Sequence, residues 1–470
     1  MLRKTKLVCT IGPGSRSSPV IRKLIRAGMS VARLNFAHDT PEEHLKVIRT
    51  IRDVSAAMAA PVAILLDLPG AKLRTGELVR PKVQLKEGSA FTLTTEKVAG
   101  DERRVSVPPF FRDIKPGDTI YLNDGAIELK VTSVTAVEAR CRVVVGGSLI
   151  AHRGINVPGV RLSVSSFTGE DLRDLAFGVE QGVDFFAVSF VRSAADIRQI
   201  REILRQKRAS IPLIAKIEKH EAVKDIDQIL AEADGAMVAR GDLGIEIPLE
   251  KVPIVQKEIV RKCNLLGKPV VVATQMLESM ISSVRPTRAE VSDVANAIFD
   301  GADAVMLSGE TAIGKFPVPS VKMMASIAAE TEKTLPYERA LLEKGALVTA
   351  KTDDAISYAA CHMAQTLRAA CIVAYTTSGS TALRVSKYRP RVPILAITPH
   401  PHIARRLVLS WGVHPYIAAE PVNIDMMFQE ATRVAFKAGM ARRGDLIVIT
   451  AGIPMGKPGT TNVVKVQRVE

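Results

Sequence analysis

Eight short apolar runs, each closed by turn residues, recur through the first two-thirds of the chain. They are "KLVCTIG" from position 6, "VARLNF" from 31, "VAILLDL" from 62 and "FFAVSF" from 185, then "PLIAKIE" from 212, "AMVARGD" from 236, "PVVVATQ" from 269 and "AVMLSGE" from 304. Most are separated by amphipathic, helix-like segments such as "SPVIRKLIRAGM" and "AADIRQIREILRQK". Strand then helix, repeated eight times, is the sequence form of a closed parallel (β/α)8 barrel. One gap breaks the rhythm: more than a hundred residues separate the third run from the fourth. Much of that gap alternates apolar and polar residues with Gly and Pro turns, which predicts a small inserted β-barrel at the top of a barrel strand, where a lid would sit. After about 345 a second α/β block begins, with strands expected at "CIVAYTT", "VPILAIT", "VHPYIAA", "DLIVITA" and "NVVKVQRV". The expected organisation is a barrel domain over 1–69 and 161–344, a β lid over 70–160, and a C-terminal α/β domain over 345–470.

Composition excludes several classes. Apolar residues at 47% and charged residues at 24% are a globular balance, not a disordered one. No run of about 18 apolar residues predicts a membrane span, and the basic start reads as a first strand. Five scattered cysteines with no Cys-x-x-Cys pair predict free thiols in a reducing cytoplasm. A net charge of +15 could serve nucleic acid, but there is no dense basic run and aromatics are only 4%, too few for base stacking. A positive field equally suits small polyanionic substrates.

In such barrels the chemistry collects at the C-terminal ends of the strands. There the sequence puts Arg33, Asn35 and His38, then Asp67, Lys72 and Arg74, then Lys216 and Glu218, Arg240 and Asp242, Thr274, and finally Ser308 and Glu310. The opposite strand ends are expected to carry far fewer such groups. Lys216 and Glu218 are two residues apart on a strand and point the same way. Glu218 and Asp242 are hard oxygen donors that could share one Mg2+. Arg33, Arg74 and Lys216 supply charge for phosphate, and this mixture suits phosphoryl transfer. Either pair, Lys216 with Glu218 or with Asp242, could instead be an ordinary ion pair. For the whole set, burial without a ligand would leave unpaired ions at several kcal/mol each. His38 alone suits a hydrogen-bonded loop histidine better than a base, and Thr274 alone an ordinary strand threonine.

These residues sit in the words "RLNF", "IAKIEKHEAV", "VARGDLGIEIP", "VVVATQMLESMI" and "PTRAEVSDVANAIFDGADAVMLSGETAIGKFP", in an order and spacing that resemble pyruvate kinase over nearly the whole chain. The resemblance implies phosphoryl transfer from phosphoenolpyruvate to ADP, giving pyruvate and ATP, with Mg2+ or Mn2+. It implies that Glu218 and Asp242 hold the divalent ion, and that Lys216 and Arg33 stabilise the moving phosphoryl group. Gly241, Asp242 and Thr274 would hold the substrate carboxylate, and Arg74, Asn35 and His38 would lie toward the nucleotide. Protonation of the enolate would run through water near Thr274, with Ser308 and Glu310 behind it. The same resemblance implies a cytoplasmic homotetramer.

The chain departs from the family in three places. Potassium-dependent members carry "NFSHG" and "LDTKGPEIRTG"; here the words are "NFAHD" and "LDLPGAKLRTG". Asn35 and Asp67 of the monovalent-cation site remain, but Ala37 and Leu68 have lost hydroxyls and Lys72 stands for a Glu. A fixed ammonium in lieu of the cation predicts potassium-independent activity. In "LSVSSFTGEDLRDLAFG" a nucleotide-facing lysine of the family aligns with Glu170, whose charge would repel ADP, and Asp39 replaces a glycine. In the last domain, "TTSGST" (Thr376, Thr377, Ser378, Gly379, Ser380, Thr381) follows a strand and opens a helix. It resembles the family's effector loop, and predicts a phosphorylated effector; a plain helix cap is the simpler alternative. The rival functions are a metal-dependent lyase or aldolase of pyruvate or its enol, a catalytically weak effector-sensing paralogue, and a nucleic-acid binder.

Overall fold

The computed structural model describes residues 2–163, 167–454 and 459–470; within "LSVSSFTGEDLRDLAFG", positions 164–166 therefore lie outside the described residues. All eight expected barrel strands form: β1 (Lys6–Thr10), β2 (Val31–Asn35), β3 (Ala63–Leu68), β4 (Phe185–Val188), β5 (Leu213–Ile217), β6 (Gly235–Ala239), β7 (Val270–Ala273) and β8 (Ala304–Leu307). Every adjacent pair is parallel, and β8 returns to β1 to close the barrel. Parallel strands in a closed sheet are buried on both faces, which is why they read as continuous apolar runs rather than alternating ones. One face fills the barrel with Val8, Val31, Leu65, Ile214, Met237, Val271 and Met306, among others. The other face meets the helices, as where Ile21, Leu24 and Ile25 line the buried stripe of Ser18–Ala27. Sequence signals also set helix starts: Thr287 and Glu290 form a reciprocal capping box that begins Arg288–Asp300.

After β3 the chain leaves the barrel and builds a six-stranded sheet in the order Ile155–Asn156, Thr119–Leu122, Ile127–Val134, Glu138–Val145, Ala90–Thr94 and Arg104–Ser106. A two-stranded sheet pairs Gly147–Ile150 with Lys82–Leu85. Together they enclose their own core, including Phe91, Leu93, Ile120, Leu129 and Val131. The chain returns to the barrel through the helix Gly169–Glu180.

The C-terminal block holds β9 (Cys371–Tyr375), β10 (Ile394–Thr398), β11 (Val413–Ile417), β12 (Leu446–Gly452) and β13 (Thr461–Arg468) in the order β11-β10-β9-β12-β13. Only β13 is antiparallel. Val408 and Leu409 of this block join the interior barrel core from below. All five cysteines are buried and free. Among the described residues no helix is long and apolar enough to cross a membrane.

The opposite, N-terminal ends of the strands correct one expectation. They are as rich in buried charge as the mouth. Asp184 precedes β4 and is held by Arg52, Arg405 and the Ile64 N–H, each at 2.8 Å. Asp303 precedes β8 and takes two bonds from Arg389, at 3.0 and 2.8 Å. It also accepts from the N–H groups of Trp411 and Val270. Glu332 accepts from the N–H groups of Lys4 and Thr5. These carboxylates satisfy backbone donors at strand starts and anchor the C-terminal block, a need that a strand-by-strand inspection does not expose.

Candidate active site

At the mouth, β2, β3, β4 and β5 bring one chain of charge together. Arg33 Nε donates to Asp67 Oδ2 at 2.7 Å, and its Nη1 to Thr10 Oγ1 at 3.0 Å. Asp67 Oδ1 accepts from Lys216 Nζ at 3.1 Å and from Ser189 Oγ at 3.2 Å. Lys216 Nζ also donates to Ser189 Oγ at 2.7 Å and lies 2.9 Å from Glu218 Oε1. The second Glu218 oxygen accepts the Phe190 N–H at 2.8 Å. Lys216 and Glu218 thus face the same way, and they also pair with each other. The cluster therefore satisfies most of its own charge, and contrary to expectation these ions do not stand unpaired without a ligand. Thr10 and Ser189 were not singled out in the sequence, although Ser189 directly follows β4 and obeys the strand-end rule applied to the rest.

Electrostatics sort these groups. Burial opposes the Lys216 ammonium, but Asp67 and Glu218 outweigh it and keep the group charged well above the usual lysine range. Burial likewise raises Asp67, yet Lys216 and Arg33 pull its carboxyl below the ordinary aspartate value. Glu218 goes the other way. Burial raises it, the nearby Asp242 charge adds to the rise, and Lys216 only partly offsets both. Asp242 opens the helix Arg240–Glu246, and its Oδ1 meets Lys72 Nζ at 3.4 Å. Lys72 reaches the insert as well, to Asp124 Oδ1 at 3.2 Å. Burial opposes the Lys72 charge, and Asp242 and Asp124 more than restore it.

Thr274 is no ordinary strand threonine. Its φ is +68°, a left-handed conformation that a β-branched residue rarely adopts. Arg240 holds it there, with Nη2 on the Thr274 carbonyl at 2.9 Å and Nη1 on Asp293 at 2.7 Å. Thr274 Oγ1 in turn accepts the Gly241 N–H at 2.8 Å. Ser308 Oγ is buried and, among the described residues, has no hydrogen-bond partner. Buried Glu310 accepts the N–H groups of Leu277 at 3.0 Å and Ser308 at 2.7 Å, and burial raises its carboxyl.

The remaining candidates stand outside this chain of contacts. Arg74 is exposed, with Nη1 on the His152 carbonyl of the insert at 3.2 Å. Asn35 Oδ1 accepts the Ala37 N–H, and His38 is exposed while its carbonyl meets His44 Nε2. Asp39 has φ +65°, so the departure from glycine keeps the left-handed turn that Asp, like Asn, tolerates. Leu68 is buried in the apolar core between strands and helices. Glu170 is exposed in the first turn of its helix. In the C-terminal block, Thr376 Oγ1 accepts the Gly379 N–H at 2.8 Å at the start of the helix Ser380–Lys387. That loop lines a cleft with Glu420, Thr460 and Thr461, and among the described residues no cation lines it.

Comparison with known proteins agrees along the chain. Residues 2–321 match the family described as pyruvate kinase, barrel domain, and 354–467 match pyruvate kinase, alpha/beta domain. A pyruvate kinase of Geobacillus stearothermophilus is 48% identical, covering 99% of this chain and 80% of that protein. One of Staphylococcus aureus is 46% identical, covering 100% and 81%. One of Clostridium acetobutylicum is 43% identical over 100% of both chains.

Proposed function

The chain belongs to the pyruvate kinase family, which moves a phosphoryl group from phosphoenolpyruvate to ADP, and on that premise we propose which residues do so and that they need no potassium. The observation that carries the proposal is the Arg33–Asp67–Lys216–Glu218 chain with Lys72 beside Asp242. A lyase or a weak sensing paralogue is not favoured, because the match is to pyruvate kinases from end to end.

Glu218 and Asp242 fit a divalent cation of the Mg2+ type. Both are hard carboxylate donors, and burial, with the nearby Asp242 charge adding to it, raises the Glu218 carboxyl, a cost that a bound cation would relieve. When bound, the ion supplies Lewis-acid neutralisation of phosphoryl and enolate oxygens. Lys216 and Arg33 supply fixed positive charge for the phosphoryl group as its bond to the enol oxygen breaks and a bond to an ADP phosphate oxygen forms. Asp67 and Ser189 orient Lys216 and keep it charged. Thr274 and the first turn of Arg240–Glu246 receive the substrate carboxylate; Gly241 spends its N–H on Thr274, leaving that of Asp242, and the Thr274 hydroxyl must turn from the Ala273 carbonyl that it now donates to. The enolate carbon then takes a proton through water near Thr274, and the free Ser308 hydroxyl suits a place in that relay, with Glu310 fixing the loop behind it.

Lys72 replaces the monovalent cation with an ammonium 3.4 Å from Asp242, while Asn35 and Asp67 remain from that site. Arg74, Asn35 and His38 lie on the nucleotide side, where exposed Glu170 weakens ADP binding. The Thr376–Thr381 loop takes a phosphorylated effector through hydroxyls and backbone N–H groups. The insert over 70–160 acts as the lid between the barrel segments 1–69 and 161–344, the effector domain runs over 345–470, and the assembly is a cytoplasmic homotetramer.

The deciding assay follows pyruvate formation from phosphoenolpyruvate and ADP with Mg2+ in potassium-free tetramethylammonium buffer, then with potassium restored. Full activity without potassium is expected. Activity only with potassium would remove the role given to Lys72 and leave the family assignment intact.

A further inference from the structure

Two residues past Glu218 the chain enters the short helix His220–Lys224, and Glu246 closes the helix Arg240–Glu246. Between them His220 Nδ1, Glu221 Oε2 and Glu246 Oε2 converge, all within 4.8 Å of one another. Nδ1 stands 2.9 Å from the Glu221 oxygen and 3.7 Å from the Glu246 oxygen. All three atoms are buried, and among the described residues none has a hydrogen-bond partner. The imidazole and Glu221 are thus near enough for a hydrogen bond but not aligned for one. Glu246 is only 5% exposed, and its other oxygen is fully engaged, by Lys219 Nζ at 2.5 Å and Asn156 Nδ2 at 3.1 Å. Lys219 pairs with Glu246, and the His220 ring faces both carboxylates.

A proton on Nδ1 can lie along one N···O line at a time, so it leaves at least one buried carboxylate oxygen bare. A metal ion accepts all three lone pairs at once. In a tetrahedral site with bonds of about 2.0–2.1 Å, ligand atoms sit about 3.4 Å apart; the distances of 2.9 and 3.7 Å straddle that spacing. The donor set also selects an ion different from that at the mouth. Oxygen-only Glu218 and Asp242 suit a hard ion, whereas an imidazole nitrogen with two carboxylates suits a borderline transition ion.

We propose that His220, Glu221 and Glu246 form a second metal site, for a zinc-class divalent ion with water in the fourth position. Through Glu246 this ion fixes Asn156, in the last strand of the insert, to the barrel.

The test uses the full chain, stripped with chelator and then titrated with Co2+ in a large excess of Mg2+. One Mg2+-resistant equivalent per chain is expected, with the strong visible absorption of four-coordinate Co2+ and displacement by Zn2+. His220→Gln and Glu246→Gln should each abolish it, and Zn2+ should raise the unfolding temperature of the wild type only. If Mg2+ displaces all bound Co2+, or if His220→Gln retains the resistant equivalent, the proposal is overturned. Should either variant fail to fold, Glu221→Gln takes its place, since that side chain is half-buried, and the wild-type titration decides on its own.

Discussion

At the floor of the barrel Asp303 accepts four hydrogen bonds, from both Arg389 Nη atoms and from the N–H groups of Trp411 and Val270. At the mouth Glu218 has two donors, Lys216 and the Phe190 N–H, and Asp242 meets Lys72 at 3.4 Å. Both ends bury charge among residues of the same types. They differ in saturation. A carboxylate surrounded by donors has no lone pair left for a ligand and holds structure together. One with spare acceptor capacity and a neighbouring like charge costs stability and is available for chemistry. Charge density alone does not separate a site from a scaffold, but the state of each lone pair does.

Four experiments test that contrast, the largest effect first. Lys216→Met should lower kcat per folded molecule by about 10³-fold or more, the scale of losing a transition-state charge in phosphoryl transfer. Steady-state kinetics within tenfold of wild type would break the contrast at the mouth. Asp303→Asn should do the reverse. It leaves Arg389 uncompensated and should cost roughly 3–5 kcal/mol in denaturant unfolding, with kcat per folded molecule unchanged. A selective loss of kcat would place the floor in the chemistry instead.

Lys72→Met should reduce potassium-free activity by about 10²-fold, with partial recovery on adding potassium; equal activity in the two buffers would sink its role as a built-in cation. The smallest effect concerns Asp354, saturated by Lys387, Tyr388 and Thr349 at 2.6–3.0 Å. Burial alone would raise its carboxyl, but those donors hold it well below the ordinary aspartate range. Its folded pKa is depressed, so its contribution is complete above the unfolded value of about 3.9 and fades as pH falls toward the folded value. Asp354→Asn should therefore cost about 1–3 kcal/mol at neutral pH, with the gap to wild type closing in strong acid. A pH-independent gap in urea unfolding would show that the carboxylate's charge is not what stabilises.

The fold was legible because its signals are repetitive. Eight apolar runs at strand length, each followed by a helical pattern, admit one common architecture, and the insert announced itself by changing period. At the mouth, strand-end position brought out Arg33, Asp67, Lys216, Glu218 and Asp242, since alternate side chains at the C-terminal ends of barrel strands point into the same bowl. Partnership was not legible. Nothing local in "FFAVSF" says that Ser189 seats Lys216, and nothing near Thr274 says that Arg240 holds it in a left-handed conformation. Asp184 and Asp303 carry no local signal, because some of their partners are hundreds of residues away, as with Arg405 on Asp184. Residue type and spacing give location; long-range hydrogen bonding decides what a charge is for.

Those floor contacts also have a mechanical side. Asp184 and Ser189 are five residues apart across β4, and Asp303 and Ser308 are five apart across β8. At 3.3 Å per residue, each strand is a strut of about 16 Å with no loop inside it to absorb movement. Arg405 and Arg389, on the C-terminal block, grip the lower ends of the two struts. The upper ends carry the hydroxyl that seats Lys216 and the hydroxyl left free beside Glu310. The same two strands that tie the C-terminal block to the floor thus end at the mouth, and one rigid element joins the scaffold contact to the bowl.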